Sequence, residues 1–203
     1  DNSVTIASVG LFTNLKDLLE SQPTRDNPLS GIELVRNKVA RLVVMGGRKW
    51  EGEENPPVEW NFGGCGGTGY GCGSFDTFGP LTNTSLVLWP PEVPIVYVDY
   101  DTGADVGTGN VMLDGLPESS PCRGGYVAFC DALPWCGVDR LGRSSWDPMA
   151  VLYAARGKHS VAGEAFYRAV RGQMRVDPET GASTFTPDVN ASDVDATVPA
   201  GSA

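Results

Sequence analysis

Hydrophobic positions alternate between two kinds of segment along this chain. Val4 to Val9 is a short, almost continuous apolar run of the kind a buried strand shows, and TNLKDLLES after it spaces Leu15, Leu18 and Leu19 along one helical face. Thr13 or Asn14 is placed to cap that helix. A polar loop from Ser21 to Ser30 leads to a second short helix, GIELVRNKV, and then to a second apolar run, ARLVVMGG, closed by paired glycines. A third run, VPIVYVDYD, ends at Asp99 and Asp101. Strand, helix, helix and strand in this order predict an α/β fold: an open, mostly parallel sheet with helices on both faces.

Between the second and third runs the pattern changes. From Gly46 to Pro80 the chain is rich in glycine with scattered aromatics, and GGCGGTGYGCGSF has neither a helical nor a strand period, so a loop or insertion is expected there. Later, SSWDPMAVLYAARG predicts a helix that starts near Pro148 and is stopped by Gly157. GEAFYRAV reads as a short helical turn, and GQMRVDPETGASTFTPD as a hairpin turning on DPETG. The tail from Val189 to Ala203 is small and polar, and is expected to be disordered. No internal repeat is present.

Composition narrows the partners. At 203 residues, 41% hydrophobic and 20% charged, the chain is long enough to bury an ordinary core in one unit spanning residues 1–188. Fifteen basic against 25 acidic residues give a net charge of −10, which repels phosphate backbones and anionic lipid surfaces and argues against nucleic acid and membrane as partners. No apolar run reaches the roughly 18 residues of a membrane helix. The chain opens without Met and runs at once into a strand, the pattern expected of a processed or truncated amino end. Cys65, Cys72, Cys122, Cys130 and Cys136 match no zinc or redox spacing and leave one or two disulfides, or plain buried thiols, open. Sequons at Asn83 and Asn190 leave the compartment, cytoplasmic or secreted, undecided.

In open α/β sheets ligands bind beyond the carboxyl ends of the strands, here Val9-Gly10, Met45-Gly46-Gly47 and Asp99 to Asp101. Glu59 and Asn61 stand two apart in NPPVEWNFGG. In extended backbone they face one side with Trp60 turned away, and a carboxylate beside an amide suits a polyhydroxyl ligand or a loop hydrogen-bond pair. Asp99 and Asp101 offer oxygens to a hard cation or simply end a strand. Asp147, before Pro148, suits a helix N-cap or a ligand-binding carboxylate. His159, the single histidine, lies past the helix-ending Gly157 in a polar setting, which argues against a histidine-based triad or a zinc site built on histidines, and GTGYGCG lacks the Lys-Ser/Thr of a phosphate loop.

Five segments in order, VTIASVGLFTNL, RLVVMGG, EWNFGG, PIVYVDYD and SWDPMAVLYAARG, resemble the inosine-uridine preferring nucleoside hydrolases. The resemblance spans about Val4 to Asp188, with a Gly/Cys-rich interruption from Gly64 to about Leu86. It implies an N-ribohydrolase that cleaves ribonucleosides to ribose and free base with the help of Ca²⁺ at the carboxyl rim. By the same resemblance Asp147 is a calcium ligand that also meets a ribose hydroxyl, and Val9 supplies a backbone carbonyl to the ion. Met45 lies near the sugar, Glu59 and Asn61 bind its hydroxyls, and Glu53 stands where a sugar-binding Asn is usual, with Asn55 as a substitute. The family's opening D-x-D-x-x-x-D-D cluster, which supplies most calcium ligands and the general base, is absent. Trp146 stands where many relatives carry a histidine acid, and is expected to stack on the base, as in a Trp-Asp subgroup. The implied partner is a small nucleoside, with a homo-oligomer also allowed. The rival readings are a non-catalytic sugar- or nucleoside-binding relative and a degenerate, unstable product.

Overall fold

In the computed structural model the described residues are 1–48, 58–65, 75–109, 115–132, 143–158, 167 and 170–188. Three strands, β1 (Val4–Ser8), β2 (Val39–Met45) and β3 (Ile95–Val98), form a parallel sheet in the order β1-β2-β3. These are the three apolar runs, and their direction is the expected one. The register sets Ser8 opposite Val44 and Met45 opposite Val98, so the three carboxyl ends stop at one level and share a rim.

The sheet is covered on both faces, as the continuous apolar runs require. Alternate residues of β2 point opposite ways. Leu42 and Val44 join a core with Phe12, Leu15, Leu19, Val35 and Phe62, whereas Val43 and Met45 pack with Val98, Met149, Ala150 and Tyr153. The first core rests on α1 (Thr13–Glu20), α2 (Gly31–Lys38), α3 (Trp60–Gly63) and α4 (Phe75–Leu88). Behind the second lies the late helix, α7 (Trp146–Arg156), introduced by α5 (Tyr100–Ala104), β4 (Gly107–Thr108), α6 (Pro121–Ala132) and β5 (Arg143–Ser144). Phe62 centres the first core, meeting Phe12 and Tyr97 edge to face at centroid distances of 5.6 and 6.1 Å. Among the described residues no helix is long and apolar enough to cross a membrane.

Local sequence explains some ends and not others. Ser30 and Glu33 form a reciprocal capping box at α2, with Arg36 and Lys38 in the last turn facing the negative end of the helix dipole. For α1, neither Thr13 nor Asn14 is the cap: the N-cap is Phe12, with no side-chain cap bond among the described residues. Phe12 is instead buried in the core, and that burial sets the helix start. The late helix begins at Trp146, two residues before Pro148, with Ser145 as N-cap, so Asp147 is not the cap. Its other end is as expected: Gly157 takes a left-handed φ of 67°, which only glycine adopts without strain, and donates its N–H to the Tyr153 carbonyl.

The expected loop or insertion is corrected over its second part, where α4 runs from Phe75 to Leu88. Its most deeply buried positions include Thr82 and Ser85, whose hydroxyls bond to the Phe62 and Leu81 carbonyls, while Leu81, Leu86 and Leu88 pack against the core only partly buried, so hydroxyls interrupt the apolar face that would mark a helix. The Asn83 sequon lies in this helix, half-buried. Helix α6 was hidden for a related reason: it contains Gly124 and Gly125, and Cys130 is its one residue buried in the core among those described.

The hairpin is found where DPETG predicts it, as β6 (Gly172–Val176) paired antiparallel with β7 (Ser183–Pro187). Asp177 makes its turn, accepting from the Glu179 and Thr180 N–H groups at 2.9 and 2.8 Å, an Asx-type arrangement. Of GEAFYRAV only Tyr167 and Val170 are described, and the tail from Val189 lies outside the described residues.

Candidate functional site at the carboxyl rim

Beyond the end of β2 the chain passes through Gly46 and Gly47, and the Gly46 N–H reaches the Val98 carbonyl at 3.3 Å. Gly47 is tied in two directions: its carbonyl accepts from the Tyr100 N–H at 2.9 Å, and its N–H donates to Glu59 Oε2 at 3.3 Å. Glu59 is the N-cap of α3, and both of its oxygens accept from the Asn61 N–H at 3.0 Å. A carboxylate fits this place because a helix start presents unpaired N–H groups and the positive end of its dipole. Glu59 is nonetheless only 6% exposed. Burial pushes its pKa up to about 7, the N–H groups of Asn61, Gly47 and Phe62 pull against that rise, and the nearby charge of Asp147 adds to it.

Asn61 is one residue further into α3. Its Nδ2 donates to the Met45 carbonyl at 3.0 Å and touches Met45 Sδ at 3.1 Å, which leaves Oδ1, among the described residues, without a partner. The expected pairing of Glu59 with Asn61 is therefore present but arises differently. The two are brought together by a helix cap rather than by extended backbone, while Trp60 does turn outward, 46% exposed.

From the other face of the sheet α7 brings Trp146 and Asp147. The indole Nε1 donates to the Tyr100 carbonyl at 2.8 Å, and the Tyr100 ring stacks on Trp146 with centroids 5.1 Å apart. Arg143 lies over the Trp146 ring at 4.5 Å. Asp147 is exposed and, among the described residues, makes no hydrogen bond. Partial loss of water around it raises its pKa, and the Arg143 guanidinium opposes the rise. A cavity of about 420 Å³ opens beside this carboxylate, walled by Tyr126, Phe129, Arg143 and Trp146. That volume is within the range of small-molecule sites.

The remaining expected residues fall as follows. Val9 is one residue past β1, on the same rim and exposed. Asp99 caps α5 through the Thr102 N–H and hydroxyl, at 2.9 and 2.6 Å, and Asp101 is in the first turn of that helix. Glu53, Asn55 and His159 lie outside the described residues. Cys65 and Cys130 each take part in a disulfide, while Cys122 is an exposed free thiol.

Sequence reasoning missed Tyr100, Tyr126, Phe129 and Arg143. Arg143 stands three residues before Trp146 and Tyr100 directly follows the strand-end Asp99, the two local hints; Tyr126 and Phe129 carry none, because α6 was not legible. In comparisons with models of protein families and with curated proteins, nothing matches the chain.

Proposed function

We propose that this rim is the sugar-facing part of a nucleoside hydrolase-like site, built on the corresponding α/β sheet, that acts on the N-glycosidic bond of ribonucleosides. What supports the reading is the convergence of Asn61, locked on Met45 with its Oδ1 unpartnered among the described residues, and Asp147, which is not a helix cap, on one rim of a parallel sheet. Asn61 offers an acceptor and Asp147 a second to the vicinal hydroxyls of ribose, a pattern that selects a diol over a single alcohol. Glu59 holds the start of α3 and the Gly47 turn in place, so that Asn61 is presented with little freedom to lose on binding. The walls of the adjoining cavity suit the flat, apolar faces of a base.

Calcium would polarise a water and hold the ribose diol if bound here. Asp147 and the Val9 carbonyl are two of the six to eight oxygens that such an ion takes, and among the described residues no group of three His, Cys, Asp or Glu side chains stands together. The donor set is thus too small on its own. A complete site needs carboxylates of the kind the family's opening motif supplies, including the general base.

A specific observation favours a second reading, a binding protein without turnover: the Glu59 carboxylate and the Trp146 indole are both committed to internal hydrogen bonds. Ribose release from inosine and uridine, beside calorimetric binding of ribose, separates the two. Release that falls on Asp147→Ala supports the hydrolase, binding without release supports the second reading, and neither binding nor release sinks both.

A further inference from the structure

The turn beyond β2 that ties down Glu59 also carries an arginine. Arg48 follows Gly47 directly, and its backbone is held. Its N–H donates to the hydroxyl of the buried Ser183 at 3.0 Å, while the Gly47 carbonyl accepts from the Tyr100 N–H at 2.9 Å. From this fixed base the half-buried side chain reaches across the rim to the start of α5, where the guanidinium lies over the Tyr100 ring at 4.5 Å.

Among the described residues nothing neutralises that cation. The Arg48 guanidinium makes no hydrogen bond and no ion pair there, although Lys16, Arg36, Lys38 and Arg123 are each paired with a carboxylate elsewhere. The rim acids are turned to other groups: Glu59 to the Gly47 and Asn61 N–H groups, Asp99 to Thr102, and Asp147 lies by Arg143. The Tyr100 hydroxyl is likewise unpartnered among the described residues. No buried side-chain nitrogen lacks a partner among those residues, so the unspent N–H groups of Arg48 are open to solvent, and hence to a ligand.

Contact with an aromatic face takes one side of a guanidinium and spends none of its five N–H donors. A planar fork of such donors matches two oxygens of a phosphate. Asn61 and Arg48 also hang from one stretch of chain. Asn61 donates to the Met45 carbonyl at 3.0 Å, and Met45 to Arg48 spans at most about 11 Å even when fully extended. A ribose held at Asn61 therefore places a phosphate on that sugar within reach of the long arginine side chain.

We propose that Arg48 is an anion anchor of the rim, taking the phosphate of a phosphorylated ribose, so that the site selects nucleoside monophosphates over neutral nucleosides. The inference rests on the nucleoside reading, which supplies the sugar, whereas the phosphate is read from Arg48. The net charge of −10 sharpens the choice: it repels a polyanion along its whole length, but one phosphate has only to reach a single uncompensated cation.

Calorimetric titration of the full chain with ribose, ribose 5-phosphate, inosine, inosine 5′-monophosphate and inorganic phosphate tests this, in the parent, Arg48→Ala and Arg48→Lys. The parent is expected to bind each phosphorylated ligand roughly ten- to a hundredfold more tightly than its neutral counterpart. In Arg48→Ala that ratio should fall to about one, as loss of the charge-assisted bonds requires. Arg48→Lys, which keeps the charge without the fork, should give an intermediate ratio, and still reports on the anchor if Arg48→Ala does not fold. A ratio near one in the parent, with ribose and inosine bound, overturns the anchor and leaves the nucleoside reading. A preference for phosphorylated ligands that survives in Arg48→Ala also overturns it. Binding of inorganic phosphate that depends on Arg48, with no binding of ribose or inosine, keeps Arg48 as an anion site and removes the nucleoside reading. No binding of any of the five overturns both.

Discussion

Glu59 combines two conditions that oppose each other, a helix cap that favours its charge and a burial that penalises it. The folded chain keeps the Glu59 proton up to about pH 7, whereas an unfolded chain releases it near the ordinary value of 4.5. Between those values the folded state binds more protons, so stability falls as pH rises through the window, by about 3 kcal/mol in all. Urea unfolding at pH 5 and pH 8 should show that loss in the parent and a much flatter response in Glu59→Gln; equal slopes would refute the buried carboxyl as its source. Asn61 is simpler. Asn61→Ala deletes the bond to Met45 and strands a carbonyl at the sheet end, with an expected cost of about 1 to 2 kcal/mol in urea unfolding. On the proposed function it also weakens ribose binding, which Asn61→Asp should not restore, since a carboxylate cannot donate to that carbonyl.

At the scale of elements, the approach of α5 to α7 fixes where Trp146 and Asp147 point. Gly103 makes that approach possible: a Cβ there would lie 2.5 Å from the Trp146 Cα and 2.8 Å from its backbone N. Gly103→Ala should therefore cost about 1 to 3 kcal/mol and shift the start of α7, because backbone rather than a flexible side chain has to move. Near-ultraviolet circular dichroism, which senses the Tyr100 and Trp146 stack, should change in this variant; an unchanged spectrum with parental stability would show that the contact is not needed. The late helix was legible as an element and its Gly157 stop was readable, since a residue with positive φ leaves a chemical trace in the sequence. Its start was not, because Ser145 spends its hydroxyl on Thr108 at 2.8 Å rather than on a cap, a contact 37 residues away. Helix α4 escaped notice for the opposite reason, its buried hydroxyls looking like loop composition.

For the whole molecule, on the proposed function, two oxygens from Asp147 and Val9 predict weak calcium binding. Added calcium at about 1 mM should leave the thermal midpoint of the chain unchanged, since stabilisation by a ligand needs a concentration well above its dissociation constant. A rise of several degrees, lost on adding a chelator, would show that the chain holds the ion with donors the proposed site does not name. The acidic surface is a matter of composition and works at the same scale: a net charge of −10 repels polyanions whatever the fold does.

The three strands, the helices α1, α2 and α7 and the DPETG hairpin are legible in residue order, because burial on both faces and turn chemistry write themselves into local pattern. The sequence also marked Glu59, Asn61, Met45 and Asp147 as candidates. Long-range packing sets how they are used: Glu59 as a buried cap, Asn61 as a strut on Met45, Asp147 outside the cap position, and Arg143 over two rings from separate helices. Those outcomes depend on groups far apart in the chain meeting in space. Asn61 reaches Met45 across 16 residues and Trp146 reaches Tyr100 across 46, distances over which local pattern carries no information.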